Sequence, residues 1–139
     1  DIPAQCWLGT ILKWCDTAQG MFYRSIPDEA VAKELYEFYL VGAVMRTNVV
    51  KAFVSSDGWQ RLMCTMVESP EARIRICPTI GRIGRTSWTM RLAIDAISSA
   101  GAAPTPLAVV QTVMVAVDPR DTTKTIPVPR AEALRGLIC

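Results

Sequence analysis

The sequence contains no histidine. Without an imidazole the chain cannot by itself build a Ser-His-Asp triad, a Cys-His pair or a histidine general base. Its cysteines form no Cys-x-x-Cys pair, which together with the missing histidine argues against a zinc site. We therefore expect no metal and no cofactor, and any chemistry must use carboxylates, hydroxyls, arginines or backbone N–H groups.

Long apolar runs and excess charge are also missing. The richest apolar stretch, residues 35–50, is interrupted by charged and polar residues, so no membrane span is expected. The formal net charge is only +2, so anion binding would have to depend on local clusters of basic residues. The length of 139 residues predicts one domain covering residues 1–139. Because residue 1 is Asp rather than Met, we expect a removed leader or a longer preceding sequence.

The cysteine count is odd, which favours free thiols over a disulfide framework. The five residues are Cys6, Cys15, Cys64, Cys77 and Cys139. Unpaired and mostly buried thiols are typical of proteins in a reducing environment. The count therefore predicts an intracellular, reducing compartment.

Patterning and turn residues predict one helix and a series of strands. The helix is predicted from about residue 27 to residue 46, because Ser25 can cap it, Pro27 suits its first turn, and apolar residues recur at helical spacing. Strands are predicted from alternation and β-branched content, and turns from Gly, Asp, Ser and Pro. The predicted strands are 7–15, 60–67, 71–80, 86–94 and 107–118, with turns at 16–20 and 55–59, an extended tail, and a short last helix at 131–138.

These elements are segregated along the chain, which favours a particular fold class. One strand, one long helix and then consecutive strands predict an α+β fold, with an antiparallel sheet of about five strands packed on one long central helix. A single helix cannot cover both faces of such a sheet, and the sheet has open edges. We therefore expect the chain to self-associate as a dimer or higher oligomer.

Five arginines and no acidic residue lie between residues 72 and 94. This basic strip suits a phosphate-bearing ligand, an RNA backbone, or simply a solvated sheet face. Sheets that bind RNA usually present aromatic side chains among the basic ones. Alternation places Trp88 with Met90, Leu92 and Ile94 on the apolar face instead. The pattern therefore favours phosphate binding or solvation over RNA recognition.

Three stretches together resemble the hotdog fold, and within it the 4-hydroxybenzoyl-CoA thioesterase-like acyl-CoA thioesterases. They are WCDTAQGMFY (14–23), RIGRTSWTMRLAI (82–94) and AVVQTVMVAVDPRDTTKTIPVP (108–129). The first is similar to the family's Asp-containing loop, the second to its Gly-Arg-Thr-Ser-aromatic strand, and the third to its final strand and Pro-x-Pro close. The resemblance covers most of the chain and implies a dimer with the acyl thioester bound at the interface.

The resemblance also implies a set of catalytic residues. Asp16 matches the family's catalytic aspartate, which acts as nucleophile or general base, and the backbone amides near Gly20 and Met21 would hold the thioester oxygen. Amides at a helix start suit that role because they are unpaired and lie at the positive end of the helix dipole. Asp28 and Glu34 are alternative carboxylates carried by the predicted helix.

The expected ligand is an acyl-CoA substrate, whose phosphates would contact Arg82 and Arg85. Ser87 is the third expected CoA-binding residue, in contact with the pantetheine or a phosphate. An alternative function remains open from the sequence. The missing histidine, and three residues rather than two between Asp16 and Gly20, also suit a hotdog subunit that has lost catalysis. Such a subunit would contact protein or RNA partners within a large assembly, with a mitochondrial ribosome or another organellar complex as the expected setting.

Overall fold

The computed structural model describes the backbone of residues 4–137 and the side chains of residues 9–55 and 57–137, which form four helices and five strands. The helices are α1 (Ala4–Arg24), α2 (Glu29–Val41), α3 (Ser56–Glu68) and α4 (Ala131–Arg135). The strands are β1 (Ala43–Ala52), β2 (Arg73–Ile83), β3 (Ser87–Ile97), β4 (Thr105–Asp118) and β5 (Asp121–Thr125). None of the helices within residues 4–137 is long and apolar enough to cross a membrane.

The strands form an antiparallel sheet in the order β1-β4-β3-β2, and the short β5 pairs with the end of β4. Trp88 stands opposite Met114 in the register of β3 and β4, and its ring packs near Phe38 of α2. The face of the sheet that carries these side chains is the one covered by α1 and α2. We call it the helix face, and the opposite side the outer face.

The predicted apolar face of the third strand is confirmed. Trp88 is 3% exposed, and Met90, Leu92 and Ile94 are fully buried. Their side chains project from alternate positions of β3, as the pleat of a strand requires. Strands 71–80, 86–94 and 107–118 are likewise confirmed as β2, β3 and β4, the extended tail contains β5, and the short last helix is α4. The α+β class with a five-stranded antiparallel sheet is confirmed.

The strand predicted at 7–15 and the turn predicted at 16–20 are wrong, because both lie within α1. Four of its buried residues recur at every fourth position: Ile11, Cys15, Gln19 and Tyr23. That spacing places them on one side of a helix. The helical period is hard to detect in the sequence because Gln19 is polar, and because β-branched and aromatic residues near the start favour a strand.

The predicted helix 27–46 is real but shorter. Asp28 rather than Ser25 caps α2, since its Oδ1 accepts hydrogen bonds from the amides of Ala30 (3.0 Å) and Val31 (3.1 Å). The helix ends before Gly42, and the next ten residues form β1 on the edge of the sheet. Pairing with β4 decides the state of this segment, because an extended backbone beside an open strand gains a ladder of hydrogen bonds. The single long central helix is therefore replaced by α1 and α2 packed together.

The turn at 55–59 and the strand at 60–67 are also wrong, because α3 occupies both. Ser55 caps this helix, and its hydroxyl oxygen accepts a hydrogen bond from the amide of Gly58 at 3.1 Å. Trp59 is 2% exposed and its ring lies 6.3 Å from the ring of Trp14 in α1. A run of eight apolar-rich residues is too short for periodicity to distinguish a strand from a helix.

Candidate active site

Asp16 of α1 and Tyr39 of α2 meet where the two helices pack together. The Tyr39 hydroxyl donates a hydrogen bond to Oδ1 of Asp16, although 23 positions separate the residues in the chain. Burial raises the pKa of the Tyr39 hydroxyl, and the bond to the carboxylate raises it further. Tyr39 therefore remains a neutral donor at physiological pH. Oδ2 of Asp16 has no hydrogen-bond partner among residues 4–137, so it is available to a ligand or a water molecule.

This pair borders a cavity of about 220 Å³ between the helices and the helix face of the sheet. We call it the Asp16 cavity. Its lining is mixed: one part is apolar and suits a hydrocarbon, and another part is polar. The lining residues are Leu12, Cys15, Asp16, Gln19, Tyr39, Met45, Asn48, Thr112 and Met114.

Two polar residues on the sheet side of the cavity bond to each other. Asn48 and Thr112 are directly opposite in the pairing of β1 with β4, and the Thr112 hydroxyl donates to Oδ1 of Asn48 at 2.8 Å. Cross-strand hydrogen bonds of this kind stabilise a sheet locally. Because this bond joins β1 to β4, the two residues stabilise the wall of the cavity. They also give that wall its polar character.

Cys15 also faces the cavity, but it does not have the character of a nucleophile. Burial raises the pKa of its thiol to about 11. The reactive form of cysteine is the thiolate, and a pKa this high leaves almost none of it at neutral pH. Cys15, Cys64 and Cys77 are free thiols, as the odd count predicted, but the expectation of mostly buried thiols is wrong, because Cys64 and Cys77 are exposed. The side chains of Cys6 and Cys139 lie outside the described residues.

A second cleft, of about 290 Å³, adjoins the cavity and opens toward the surface between the two helices. Asp16 and Tyr39 line both spaces, so the carboxylate lies between the inner cavity and solvent. The helices approach closely here, because a Cβ added to Gly20 would lie 3.3 Å from the ring of Tyr36. Further along the same cleft, the guanidinium of Arg24 lies 5.3 Å from the centre of the Tyr36 ring.

The structure alters the environment expected for Gly20 and Met21. Both belong to α1, whose backbone amides bond to carbonyls one turn earlier, so they are not the unpaired amides of a helix start. The Asp-containing loop that the resemblance implied is a continuous helix in this chain. Gly20 and Met21 nevertheless line the second cleft, beside Asp16, and Met21 is 65% exposed.

The two alternative carboxylates lie elsewhere. Asp28 is occupied as the cap of α2, and Glu34 accepts a hydrogen bond from Nε of Arg130 at 2.8 Å in an exposed ion pair. Neither residue lines the Asp16 cavity. Both residues have structural roles: Asp28 caps α2, and Glu34 links α2 to the start of α4.

Arg82 and Ser87 line a separate cleft of about 320 Å³. Arg85 belongs to the adjoining turn, where its carbonyl accepts a hydrogen bond from the amide of Val128 at 3.0 Å. Both guanidinium groups are exposed and have no ion-pair partner within the described part of the chain. Ser87 pairs with Val115 on the outer face, whereas Trp88 and the Asp16 cavity belong to the helix face. Within one chain the predicted CoA-binding residues and Asp16 are therefore not brought together.

Two of the other three arginines of the basic strip have partners of their own. Arg75 forms an ion pair with Asp95 at 2.9 Å, and Arg73 donates to two backbone carbonyls. The Trp88 side chain is buried against the helices, so it offers no stacking surface beside the basic residues. Among the side chains that the structure describes, no three of His, Cys, Asp or Glu cluster as they would around a metal ion.

One buried hydrogen-bonded chain was not found from the sequence. The indole Nε1–H of Trp88 donates to the Tyr23 hydroxyl at 2.8 Å, and that hydroxyl donates to Oε1 of Gln19 at 3.0 Å. It connects β3 to α1 and reaches the Asp16 cavity through Gln19. The available signal is the spacing of Gln19 and Tyr23, which face the same way once residues 4–24 are recognised as a helix.

The antiparallel sheet with its covering helices and inner cavity defines the class to which this fold belongs, the hotdog fold of the thioesterases. Among solved structures, the chain is similar to the 4-hydroxybenzoyl-CoA thioesterase of Pseudomonas sp. strain CBS-3. The TM-score is 0.63 at 15% identity, covering 93% of this chain and 84% of that one. The sequence itself matches no protein-family model and no curated protein sequence.

Two further solved structures share the fold. A Thermus thermophilus thioesterase complexed with coenzyme A and zinc gives a TM-score of 0.58 at 16% identity, covering 93% of this chain and 77% of the other. A hexameric broad-specificity acyl-coenzyme A thioesterase gives 0.53 at 14% identity, covering 93% and 74%. Identities this low establish a common fold. They leave the activity of this chain to be argued from its own residues.

Proposed function

We propose that this protein hydrolyses an acyl-CoA thioester, with Asp16 as its catalytic carboxylate. One observation carries the proposal: in a chain with the fold of thioesterases, a carboxylate with one free oxygen lies between an inner cavity and solvent. The cavity is lined on one side by Leu12, Met45 and Met114, which suit an acyl group. Its volume of about 220 Å³ favours a short or compact acyl chain.

The chemistry assigned to Asp16 is general-base catalysis. Its Oδ2 takes a proton from water while the water oxygen attacks the thioester carbonyl. Collapse of the tetrahedral intermediate breaks the C–S bond, and the proton passes to the sulfur, which gives a carboxylic acid and free CoA thiol. The hydrogen bond from Tyr39 to Oδ1 holds the carboxylate in place and leaves Oδ2 free to accept the proton.

Binding of CoA to Arg82 and Arg85 is part of the same proposal, and it requires two chains. The two guanidinium groups lie apart from Asp16 within one chain. Strand β1 forms an open edge of the sheet and carries exposed apolar side chains at Val44, Met45 and Val49. An apolar edge of this kind favours pairing with a second copy. Such a copy would bring its own arginines toward the first chain's Asp16.

The test measures thiol release from a panel of acyl-CoAs. The wild type is compared with Asp16→Asn, and with Asp57→Asn as a matched control because Asp57 is exposed on α3. We expect Asp16→Asn to lower kcat by about 10²–10⁴ and Asp57→Asn to have no effect. The native mass of the active species should exceed that of one chain.

Two results would contradict the proposal. One is the absence of turnover above the buffer rate for every acyl-CoA, and the other is full activity of the Asp16→Asn variant. A single turnover in ¹⁸O-water separates the two roles of Asp16, since a nucleophile retains label in the protein and a base does not. The alternative role as a structural subunit of a large assembly gains no support from the comparisons.

A further inference from the structure

Gln19 is a buried side chain that the hydrolytic scheme above leaves unused. It is 4% exposed, and Thr112 is the only other buried polar side chain among those that the structure describes. Thr112 has an evident partner in Asn48. Gln19 lies three residues after Asp16 on α1 and lines the same cavity. Residues at this spacing project from the same side of a helix.

The neighbours of Gln19 determine which way its amide points. The Trp88 indole is only a donor, so at 2.8 Å the Tyr23 oxygen must accept its hydrogen. The Tyr23 hydroxyl then gives its own hydrogen to Gln19, 3.0 Å away. Gln19 must receive that hydrogen on its carbonyl oxygen. Turning the amide around would leave the buried Tyr23 hydroxyl hydrogen without an acceptor, which is unfavourable.

With Oε1 occupied by Tyr23, the NH₂ group of Gln19 has no acceptor among residues 4–137. Buried donors are rarely left unpaired in folded proteins, so this group calls for an acceptor in the adjoining space. That space is the Asp16 cavity. The fold thus holds two N–H donors in place, on the same helix as the catalytic carboxylate.

We propose that the side-chain amide of Gln19 binds the carbonyl oxygen of the acyl thioester and stabilises the oxyanion that forms when water attacks. The inference rests on the proposed function and adds a catalytic residue to it. Gln19 takes the role that the resemblance gave to the backbone amides of Gly20 and Met21. A donor already oriented by Trp88 and Tyr23 needs no reorganisation as charge develops, which is the property that makes such groups effective.

The first test uses two variants with different side effects. Gln19→Met removes the donors and the acceptor, whereas Gln19→Glu keeps an acceptor for Tyr23 and replaces the donors with an oxygen. Gln111→Met is the matched control, since Gln111 is exposed on the outer face of β4. We expect both Gln19 variants to lower kcat by about 10²–10³ with KM changed less than about fivefold, and the control to retain full activity.

A second readout does not depend on turnover. The probe is a ketone analogue of an acyl-CoA, with CH₂ in place of the thioester sulfur and a ¹³C-labelled carbonyl. On binding to the wild type, its carbonyl infrared stretch should move to lower frequency. The shift should disappear with Gln19→Met and persist with Gln111→Met. Circular dichroism melting confirms that each variant is folded at the assay temperature.

The outcomes separate this inference from the proposed function. If the wild type hydrolyses acyl-CoA but kcat of both folded Gln19 variants stays within about fivefold of wild type, Gln19 is not the oxyanion donor although the thioesterase proposal stands. If no acyl-CoA is hydrolysed, the thioesterase proposal fails, and the ketone decides the inference alone. A carbonyl shift that depends on Gln19 then supports it. Equal shifts in the wild type and Gln19→Met, or no binding of the ketone, overturn it.

Discussion

Removing the Tyr23 hydroxyl should be among the more damaging single-atom changes available in this chain. Tyr23 is 1% exposed, and its hydroxyl is the middle group in the series of hydrogen bonds from Trp88 to Gln19. Tyr23→Phe keeps the ring but leaves two buried groups without a partner, the indole N–H of Trp88 and the carbonyl oxygen of Gln19. Those groups belong to residues that are 3% and 4% exposed, so water cannot replace the lost hydroxyl easily.

The size of the effect follows from the number of groups left unpaired. Each buried polar group without a partner costs about 1–3 kcal/mol, so two should reduce the free energy of unfolding by about 2–6 kcal/mol. Whole domains are stable by only about 5–15 kcal/mol, so the loss is a large share of the total. At about 3 °C per kcal/mol for a chain of this size, the melting temperature should fall by roughly 6–18 °C.

Urea unfolding followed by circular dichroism measures this change, with Tyr36→Phe as the matched control. The Tyr36 hydroxyl makes no hydrogen bond within the described part of the chain, so its removal should change the free energy of unfolding by less than about 0.5 kcal/mol. Adding Trp88→Phe to Tyr23→Phe should cost less than the sum of the single changes, because it removes the stranded donor. If Tyr23→Phe changed the free energy of unfolding no more than Tyr36→Phe does, the series of hydrogen bonds from Trp88 to Gln19 would be refuted. The orientation assigned to the Gln19 amide would then be wrong as well.

Two further predictions concern pH and helix packing. Cys15 has its pKa raised by burial from 9.0 to about 11, so between these values the native state binds more protons than the unfolded state, and stability should fall as pH rises from 9 to 11. Urea unfolding at pH 8 and pH 10.5 should show a smaller loss for Cys15→Ala than for the wild type; equal losses would contradict the burial of this thiol. Gly42→Ala should destabilise by about 1–3 kcal/mol because the added Cβ would overlap the Phe38 ring, whereas Gly9→Ala, with open space around it in α1, should stabilise by about 0.5–1 kcal/mol. Melting curves check both, and the reasoning fails if the two substitutions shift the melting temperature in the same direction.

The strands of the second half of the chain could be predicted because their patterns are local. Trp88, Met90, Leu92 and Ile94 alternate with polar residues, and burial on one face of a pleated strand follows directly from that alternation. The first half is different. Residues 7–15 and 60–67 contain apolar runs with aromatic or β-branched members, which are compatible with a strand or a helix until the packing partners are known.

The class of fold, the buried face of β3 and a short list of candidate reactive groups can be predicted from the sequence alone. That list is short because the chain lacks histidine, and each remaining candidate can be recognised by its residue type. Which of these candidates lie in one site depends on how the helices and strands pack together. In the structure Asp16 lies in α1, beside Tyr39 of α2, and not in a loop. Glu34 forms an ion pair with Arg130, and Arg82 lies on the other face of the sheet. Those contacts join residues distant in sequence, and they exist because separate helices and strands pack against one another. Neither composition nor periodicity carries that information.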